Sequence, residues 1–493
     1  NGGDIKITAG SLSLTNGGQI NAFVRKADNG KSAGVGNAGN TIIKVNDEFK
    51  IDGSSGKLSG IFNDLESGTT GSAGKIDITT GSLLMTGNAR LNSSTFGKGN
   101  AGGVTINARE AINIDSGYIS SIVGAGAVGN GGDININARS LSLTNEGQIN
   151  AFVRRVDDGK PAGVGNAGNT IIKVNDEFKI SGSSGKFTGV FNDLENGTTG
   201  SAGNIDITTG SLSMVGDGGL STGTSGNGNA GNINIKAKQI SLSSNAYIES
   251  QSDSAGKAGN ITITSGGIFS ANDSRITTSA LQSSGGTISI KAANIRLFGN
   301  SDITTNVENG AGGGGDITLT ANSIIALGDS DILAFARDGQ GGDVSFNTPA
   351  FFGQNYEPAQ AGTDPSTLDG NNRVDINASG AVSGTISLPD TSFVQNSLSE
   401  LPENVIDTGN LIANSCIARA NSQQQGTFII TGSGALPSRP GDALMSQYTF
   451  GSIRTNNVSA SNRRPWQKGD PIIEPHGAYR LHKGRLVLSR ECG

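Results

Sequence analysis

One short unit, repeated twelve times, limits what this chain can become. A small-residue turn, a polar residue and an alternating apolar run recur with Gly3, Gly39, Gly74, Gly103, Gly132, Gly168, Gly203, Gly231, Gly259, Gly286, Gly315 and Gly342 as markers. Seven of the intervals are 27 to 29 residues and four are 35 or 36. A unit of that length cannot bury an apolar face by itself, so the period implies stacking of one unit on the next. Within a unit, Gly259-Asn260-Ile261-Thr262-Ile263-Thr264, Gly267-Ile268-Phe269-Ser270 and Ser274-Arg275-Ile276-Thr277-Thr278-Ser279 are three short segments separated by turn-forming residues. Ile261 and Ile263 fall on one face and Thr262 and Thr264 on the other, the period of a strand. Each strand is expected to pair in parallel with its equivalents above and below. The expected fold is therefore all-β: a right-handed parallel β-helix, a solenoid of about twelve coils over 1–344, roughly 55–60 Å long at ~4.8 Å per coil.

An internal duplication says which face is inward. Residues 2–85 align without gaps on 131–214, with 69 of 84 pairs identical. Ile5 and Ile7 match Ile134 and Ile136, whereas Lys6, Thr8 and Lys75 become Asn135, Asn137 and Asn204. Substitution thus concentrates on the expected solvent side. Leu58 to Phe187 and Ile61 to Val190 read as gentle inward changes.

Composition narrows the class further. The 77 glycines come without a triplet period and with only 11 prolines, which excludes collagen. Apolar residues make up 34%, mostly Ile, Leu and Val in alternation, which excludes disorder for most of the length. The net charge is −6, and no Lys/Arg cluster with interleaved aromatics occurs before residue 450, so nucleic-acid binding is not expected. No run reaches the ~20 apolar residues of a transmembrane helix. The chain opens inside a repeat at Asn1-Gly2-Gly3-Asp4-Ile5, as expected of a sequence lacking its N-terminal part.

Beyond Val344 the unit is not evident. Residues 345–415 are expected to form a mixed β and irregular end cap and loop, with Phe346, Phe351 and Phe352 closing the apolar core or, alternatively, offering a ligand platform. Residues 416–493 form a cysteine-bounded, basic tail region carrying Arg454, Arg463, Arg464, Lys468, Arg480, Lys483, Arg485 and Arg490. Its two cysteines, Cys416 and Cys492, suggest one disulfide, with free thiols or an intermolecular link as alternatives. Closing a loop of that length would stabilise by about 4 kcal/mol in the chain-entropy account.

The strings GNITIT and GSLSLTNGGQINA, with LPENVIDTGNLIANSCIAR and GTFIITGSGALP near the end, resemble the C-terminal portion of cyanobacterial filamentous-haemagglutinin-like exoproteins. The resemblance covers residues 1–452 and is most specific around Cys416. It implies a two-partner secretion substrate that crosses the outer membrane through a dedicated β-barrel transporter and folds outside the cell, secreted or at the cell surface. The family's N-terminal recognition domain has no counterpart in this sequence. In some relatives a C-terminal cysteine-bounded loop anchors the protein to its transporter, and Cys416 and Cys492 are placed for that role only by their position.

Catalytic and metal chemistry find few candidates. A glycosidase needs two carboxyls about 5–10 Å apart. Asp47/Glu48 and Asp64/Glu66 supply acids, and their copies Asp176/Glu177 and Asp193/Glu195 repeat them, a doubling that favours solvated loop charge over an active site. The Gly-Gly-Asp turns lack the nine-residue spacing of a calcium repeat, and Asp4, Asp133, Asp316 and Asp343 become Asn40, Asn232, Asn260 or Lys75 in other coils. The only histidines, His476 and His482, lie in the tail, so haem and zinc ligation and a Ser-His-Asp triad have no donors in the repeats. No cofactor and no catalytic role are expected. The longer coils project insertions at 25–36 and 154–165, and loops on a rigid scaffold are where binding resides. Arg25, Lys26, Asp28 and Lys31, with Arg154, Arg155, Asp157 and Lys160, are therefore the candidate contacts for cell-surface or extracellular glycans, against tolerated insertion without a ligand. A polysaccharide-degrading β-helix enzyme is the alternative function.

Overall fold

Alternation decides which side chains go inward, and stacking decides everything else. The computed structural model describes residues 1–27, 32–157, 159–309, 312–360 and 362–389, together with the short strands Arg454–Thr455, Gly477–Arg480 and Leu486–Ser489. Two units are distinguished, Asn1–Thr391 and Ser392–Gly493. In the second, Arg454–Thr455 pairs in parallel with Gly477–Arg480, which pairs antiparallel with Leu486–Ser489.

The first unit is a parallel β-helix. Each coil contributes three strands, as in Ile261–Ser265, Ile268–Asn272 and Arg275–Thr277. Every strand of a coil pairs in parallel with its equivalents, Ile261 with Ile233 and Ile288, Phe269 with Ile240 and Ile295, and Ile276 with Ile248 and Ile303. Three ladders result. Their inward columns are continuous: the first runs from Ile7 through Ile43, Ile136 and Ile263 to Phe346. A column of like residues lets β-branched side chains pack in one rotamer, coil after coil. Phe49, Phe178 and Phe269 sit at one position of the second ladder and are fully buried. A fourth, thinner ladder of single parallel bridges follows the third strand, from Val24 and Leu65 to Val307 and Ala336.

The turns are built as carefully as the strands. Side-chain oxygens of Asp or Asn at the turn accept the backbone N–H of the equivalent residue in the next coil: Asp4 from Asn40 (3.0 Å), Asn40 from Lys75 (2.9 Å), Asn232 from Asn260 (2.8 Å) and Asp316 from Asp343 (2.9 Å). Either amide or carboxylate can accept, and a coil that only donates through its backbone can carry Lys. That explains the Asp/Asn/Lys exchange along this column. A second such ladder runs through Asn1, Asn37, Asn130 and Asn166. On the inner side of the corner, Thr222 and Ser250 donate to the Gly231 carbonyl, Thr278 to that of Gly286 and Thr305 to that of Gly315, at 2.5–2.8 Å. These hydroxyls are buried, and their bonds satisfy turn carbonyls that would otherwise be stranded inside.

The ladders extend past Val344. Phe351–Gly353, Asp375–Asn377 and Ile386–Ser387 continue the second, third and first ladders, so the twelfth coil is completed and a thirteenth rung begun. The expected boundary at 344 thus falls inside a coil whose return is delayed by a long excursion, which hid the period. That excursion holds a 3-10 turn, Pro365–Thr367, capped by Asp364. Phe351 stacks on Phe346 at 4.7 Å and meets Tyr356 edge-on at 5.6 Å, at the end of the apolar columns, whereas Phe352 is exposed. Among the described residues no helix is long and apolar enough to cross a membrane. Cys416, Cys492, His476 and His482 lie outside the described residues.

At the marker glycines the coils touch backbone to backbone. A Cβ on Gly259 would lie 1.8 Å from the carbonyl oxygen of Gly231, and the same approach recurs at Gly203, Gly286 and Gly315. Gly259→Ala is expected to cost about 1–3 kcal/mol through this overpacking. Gly266→Ala, with nothing nearer than 3.8 Å, should stay within about 0.5 kcal/mol of the parent. Urea unfolding midpoints of the two variants check this; equal midpoints would mean the turns do not set the coil spacing.

Candidate functional site

The outward face of the third ladder gathers chemistry that the sequence scatters. Around the inward residues Ile61, Asn63 and Leu65, alternation turns Phe62, Asp64 and Glu66 outward, and the duplicated block does the same with Phe191, Asp193 and Glu195. One coil earlier, Val24 and Val153 bridge to Leu65 and Leu194, which brings Phe23 and Arg25, or Phe152 and Arg154, alongside.

Each insertion is pinched where it leaves the coil. The Arg25 carbonyl accepts the Gly34 N–H at 2.9 Å, and the Arg154 carbonyl accepts that of Gly163 at 2.9 Å. The Lys26 N–H donates to Glu66 Oε2 at 2.7 Å, and the Arg155 N–H to Glu195 Oε2 at 2.8 Å. The glutamates therefore fix the loop bases from the next coil. The Arg25 guanidinium lies 5.1 Å from the Phe23 ring centre and that of Arg154 lies 5.7 Å from Phe152, cation–π contacts that hold the cation over a half-buried ring. In the second insertion, Asp157 and Lys160 pair backbone to backbone across a tight exposed turn. Asp28 and Lys31 lie outside the described residues.

The two aspartates differ from ordinary surface acids. Asp64 accepts from Ser94 N at 2.8 Å and Asn92 Nδ2 at 3.2 Å; Asp193 accepts from Gly223 N and Ser221 Oγ, both at 2.7 Å. Burial dominates these bonds and pushes Asp64 up to about 6 and Asp193 up to about 7, with Glu249 and Glu195 adding repulsion at Asp193. Asp176 behaves otherwise: it is exposed and pairs with Arg139 at 2.8 Å, which also meets Glu110 at 3.2 Å. Asp47 is exposed in the bend between the first two strands, and Glu48, also exposed, opens the second.

The sequence shows no ladder among Phe23, Phe49, Phe62, Tyr118 and Tyr247, and the structure sorts them. Phe49 is core, whereas Phe62, Tyr118 and Tyr247 stand at outward positions of the third ladder with Phe191, and Phe23 and Phe152 just beyond it; Tyr247 and Phe191 are nonetheless only 6% exposed. Arg90 lies over Tyr118 at 5.4 Å and Arg275 over Tyr247 at 4.6 Å. The Tyr247 ring lies against Gly219, where any Cβ would come within 2.1 Å of it. Phe187 corrects one inward assignment: it is 68% exposed and packs edge-on to Phe191 at 6.3 Å, because it belongs to the turn before the strand and escapes the alternation.

A third acidic group had no sequence signal, since its members stand 29 and 44 residues apart. Asp302, Asp331 and Asp375 occupy successive rungs of the third ladder, each carboxylate accepting the next aspartate's N–H at 3.0 and 2.8 Å. Arg373 pairs with Asp375 at 2.9 Å. Burial pushes Asp331 up to about 8, with Asp302 and Asp375 adding repulsion, and its Oδ2 is buried without a hydrogen-bond partner among the described residues. Among the described residues no group of three or more His, Cys, Asp or Glu is arranged to hold a metal ion.

Comparison with protein families, with curated proteins and with solved structures finds no match to this chain.

The raised aspartates make stability depend on pH. An aspartate is half ionised near pH 4 when unfolded, and Asp193 only near 7 when folded. Its contribution is therefore fully present below about pH 4 and is lost as pH rises through about 7. Asp193→Asn should remove part of the fall in urea midpoint between about pH 4 and 8, becoming more stable than the parent at the upper end. An unchanged slope would place that carboxyl in bulk water.

Proposed function

We propose that the chain is a secreted or cell-surface structural and adhesion-type protein of the filamentous-haemagglutinin-like class, without catalytic activity. Its β-helix is a rigid scaffold, and its partners are extracellular or cell-surface glycans together with the outer-membrane transporter that the resemblance implies. One observation carries the reading: the bases of two copies of the same insertion are braced by Glu66 and Glu195 through 2.7 and 2.8 Å hydrogen bonds on equivalent coils of one stack. A base fixed by the neighbouring coil keeps Arg25 and Arg154 preorganised over their rings, which lowers the entropic cost of binding.

The second reading is a polysaccharide-degrading enzyme, favoured by the Asp193 carboxyl, which is poised near neutrality as a general acid must be. Against it, the acid pairs Asp64/Glu66 and Asp193/Glu195 occur twice in near-identical coils, and in each the glutamate is engaged by the backbone N–H of Lys26 or Arg155.

Retention on immobilised polysaccharides and release of soluble fragments, scored together, separate the two. Binding without release is expected. Replacing 26–33 and 155–162 by short turns should lower retention at least about tenfold while leaving the β-sheet circular dichroism intact, as expected when preorganised contacts are lost. Oligosaccharide release that disappears in Asp193→Asn would establish the enzyme instead.

A further inference from the structure

Duplication within one stack does more than double a site. Because coils stack by translation with in-register pairing, Phe23, Arg25, Phe62, Asp64 and Glu66 recur four coils on in the same orientation, about 19 Å away along the stack. We propose that these two clusters are equivalent subsites for a single neutral, linear glycan chain lying along the coil axis. This rests on the adhesion reading and deepens it by naming the ligand's class, direction and valency.

Three observations support it. A ligand that engages two identical, co-oriented sites at a fixed spacing must itself repeat along its length, as an extended polysaccharide does. The first cluster offers the partly open rings of Phe23 and Phe62 and the second those of Phe152 and Phe187, with Phe191 buried beside Phe187. Each sets them next to a few hydrogen-bonding groups, the combination that recognises a sugar ring's apolar face and hydroxyl rim. Charge decides between neutral and ionic polymers. Arg25 and Lys26 stand against Glu66 and the raised Asp64, and Arg154 and Arg155 against Glu195 and the raised Asp193, so cations and acids are mixed in each cluster and neither is a one-sign patch. A polyanion would meet Glu66 or Glu195 at each subsite, whereas sugar hydroxyls can donate to the carboxyl oxygens and accept the guanidinium's N–H groups.

The path between the subsites is polar and low. Coils three and four present the partly exposed Asn92 there, with Tyr118 beneath Arg90, while Ser94 and Ser120 are buried. The second subsite has the larger aromatic surface, since Phe187 stands where the first copy has Leu58 and packs against Phe191. It is therefore the tighter of the two.

Calorimetric titration of the full chain with neutral linear glucan oligosaccharides tests this. A trisaccharide should bind at two sites per chain, the tighter being lost in Asp193→Asn and the weaker in Phe62→Ala. A chain long enough to span four coils should bind once per protein and at least about tenfold more tightly through its effective concentration, falling to trisaccharide affinity in either variant. Affinity should hardly change from low to high salt. Asp193→Asn is near-isosteric and guards against a folding artefact, and circular dichroism of both variants must match the parent. Glycan binding that survives in the double variant overturns these subsites and leaves the adhesion reading standing. Preference for a polyuronate with steep salt dependence overturns the neutral assignment. Failure of the parent chain to bind any glycan, neutral or charged, overturns both.

Discussion

The contact on which this solenoid depends is the one between glycine backbones at the start of each coil. At nine of the twelve markers, all but Gly3, Gly103 and Gly132, the carbonyl of the preceding marker glycine sits above the Cα so closely that no side chain fits. Parallel pairing alone would hold the strands at their usual spacing of about 4.8 Å, but a coil also has corners, where no ladder forms. The close glycine approach carries the strand spacing around the corner. The Asp/Asn ladders then satisfy the turn's N–H groups from outside, and buried Ser, Thr and Asn satisfy its carbonyls from inside. With donors and acceptors both met, the corner can be buried at little cost, and the Ile, Leu and Phe columns align as a result.

Much of this was legible in the sequence because each of its causes is local and periodic. The glycine markers, the Ile-x-Ile alternation and the Asp/Asn exchange each recur in register, so period and inward face follow from reading one unit against the next. The end of the solenoid was not legible. Phe351, Asp375 and Ile386 complete a coil and begin another after an excursion that carries none of the repeat's signals. Phe187 was misplaced for a related reason: alternation holds only inside a strand, and this ring lies just before one.

The outer face was legible only in part. Asp64 and Glu66 share a face by spacing alone, and their doubling is plain from the duplication. Grouping them with Phe23 and Arg25 needs the coil-to-coil bridge from Val24 to Leu65, a contact across 41 residues that no local pattern announces. The unusual environment of Asp193 likewise comes from Ser221, Gly223 and Glu249 on later coils. Doubling, which in the sequence spoke against a catalytic centre, becomes in the fold an argument for a surface used more than once.

The duplication also bears on how such a chain changes over generations. Strand Ile76–Thr80 and the first part of strand Ile205–Val215 stand at the same point of two nearly identical blocks. Recombination between those blocks would add or remove 129 residues, four whole coils, and the one new coil-to-coil junction in the product would closely match one the parent already contains, differing by changes such as Ile61 for Val190. Hardly any new interface has to be invented, so a longer or shorter solenoid begins life nearly packed. The length of the stack is then a quantity that selection can adjust in steps of about 19 Å, set by the strand spacing, at little expense in foldability.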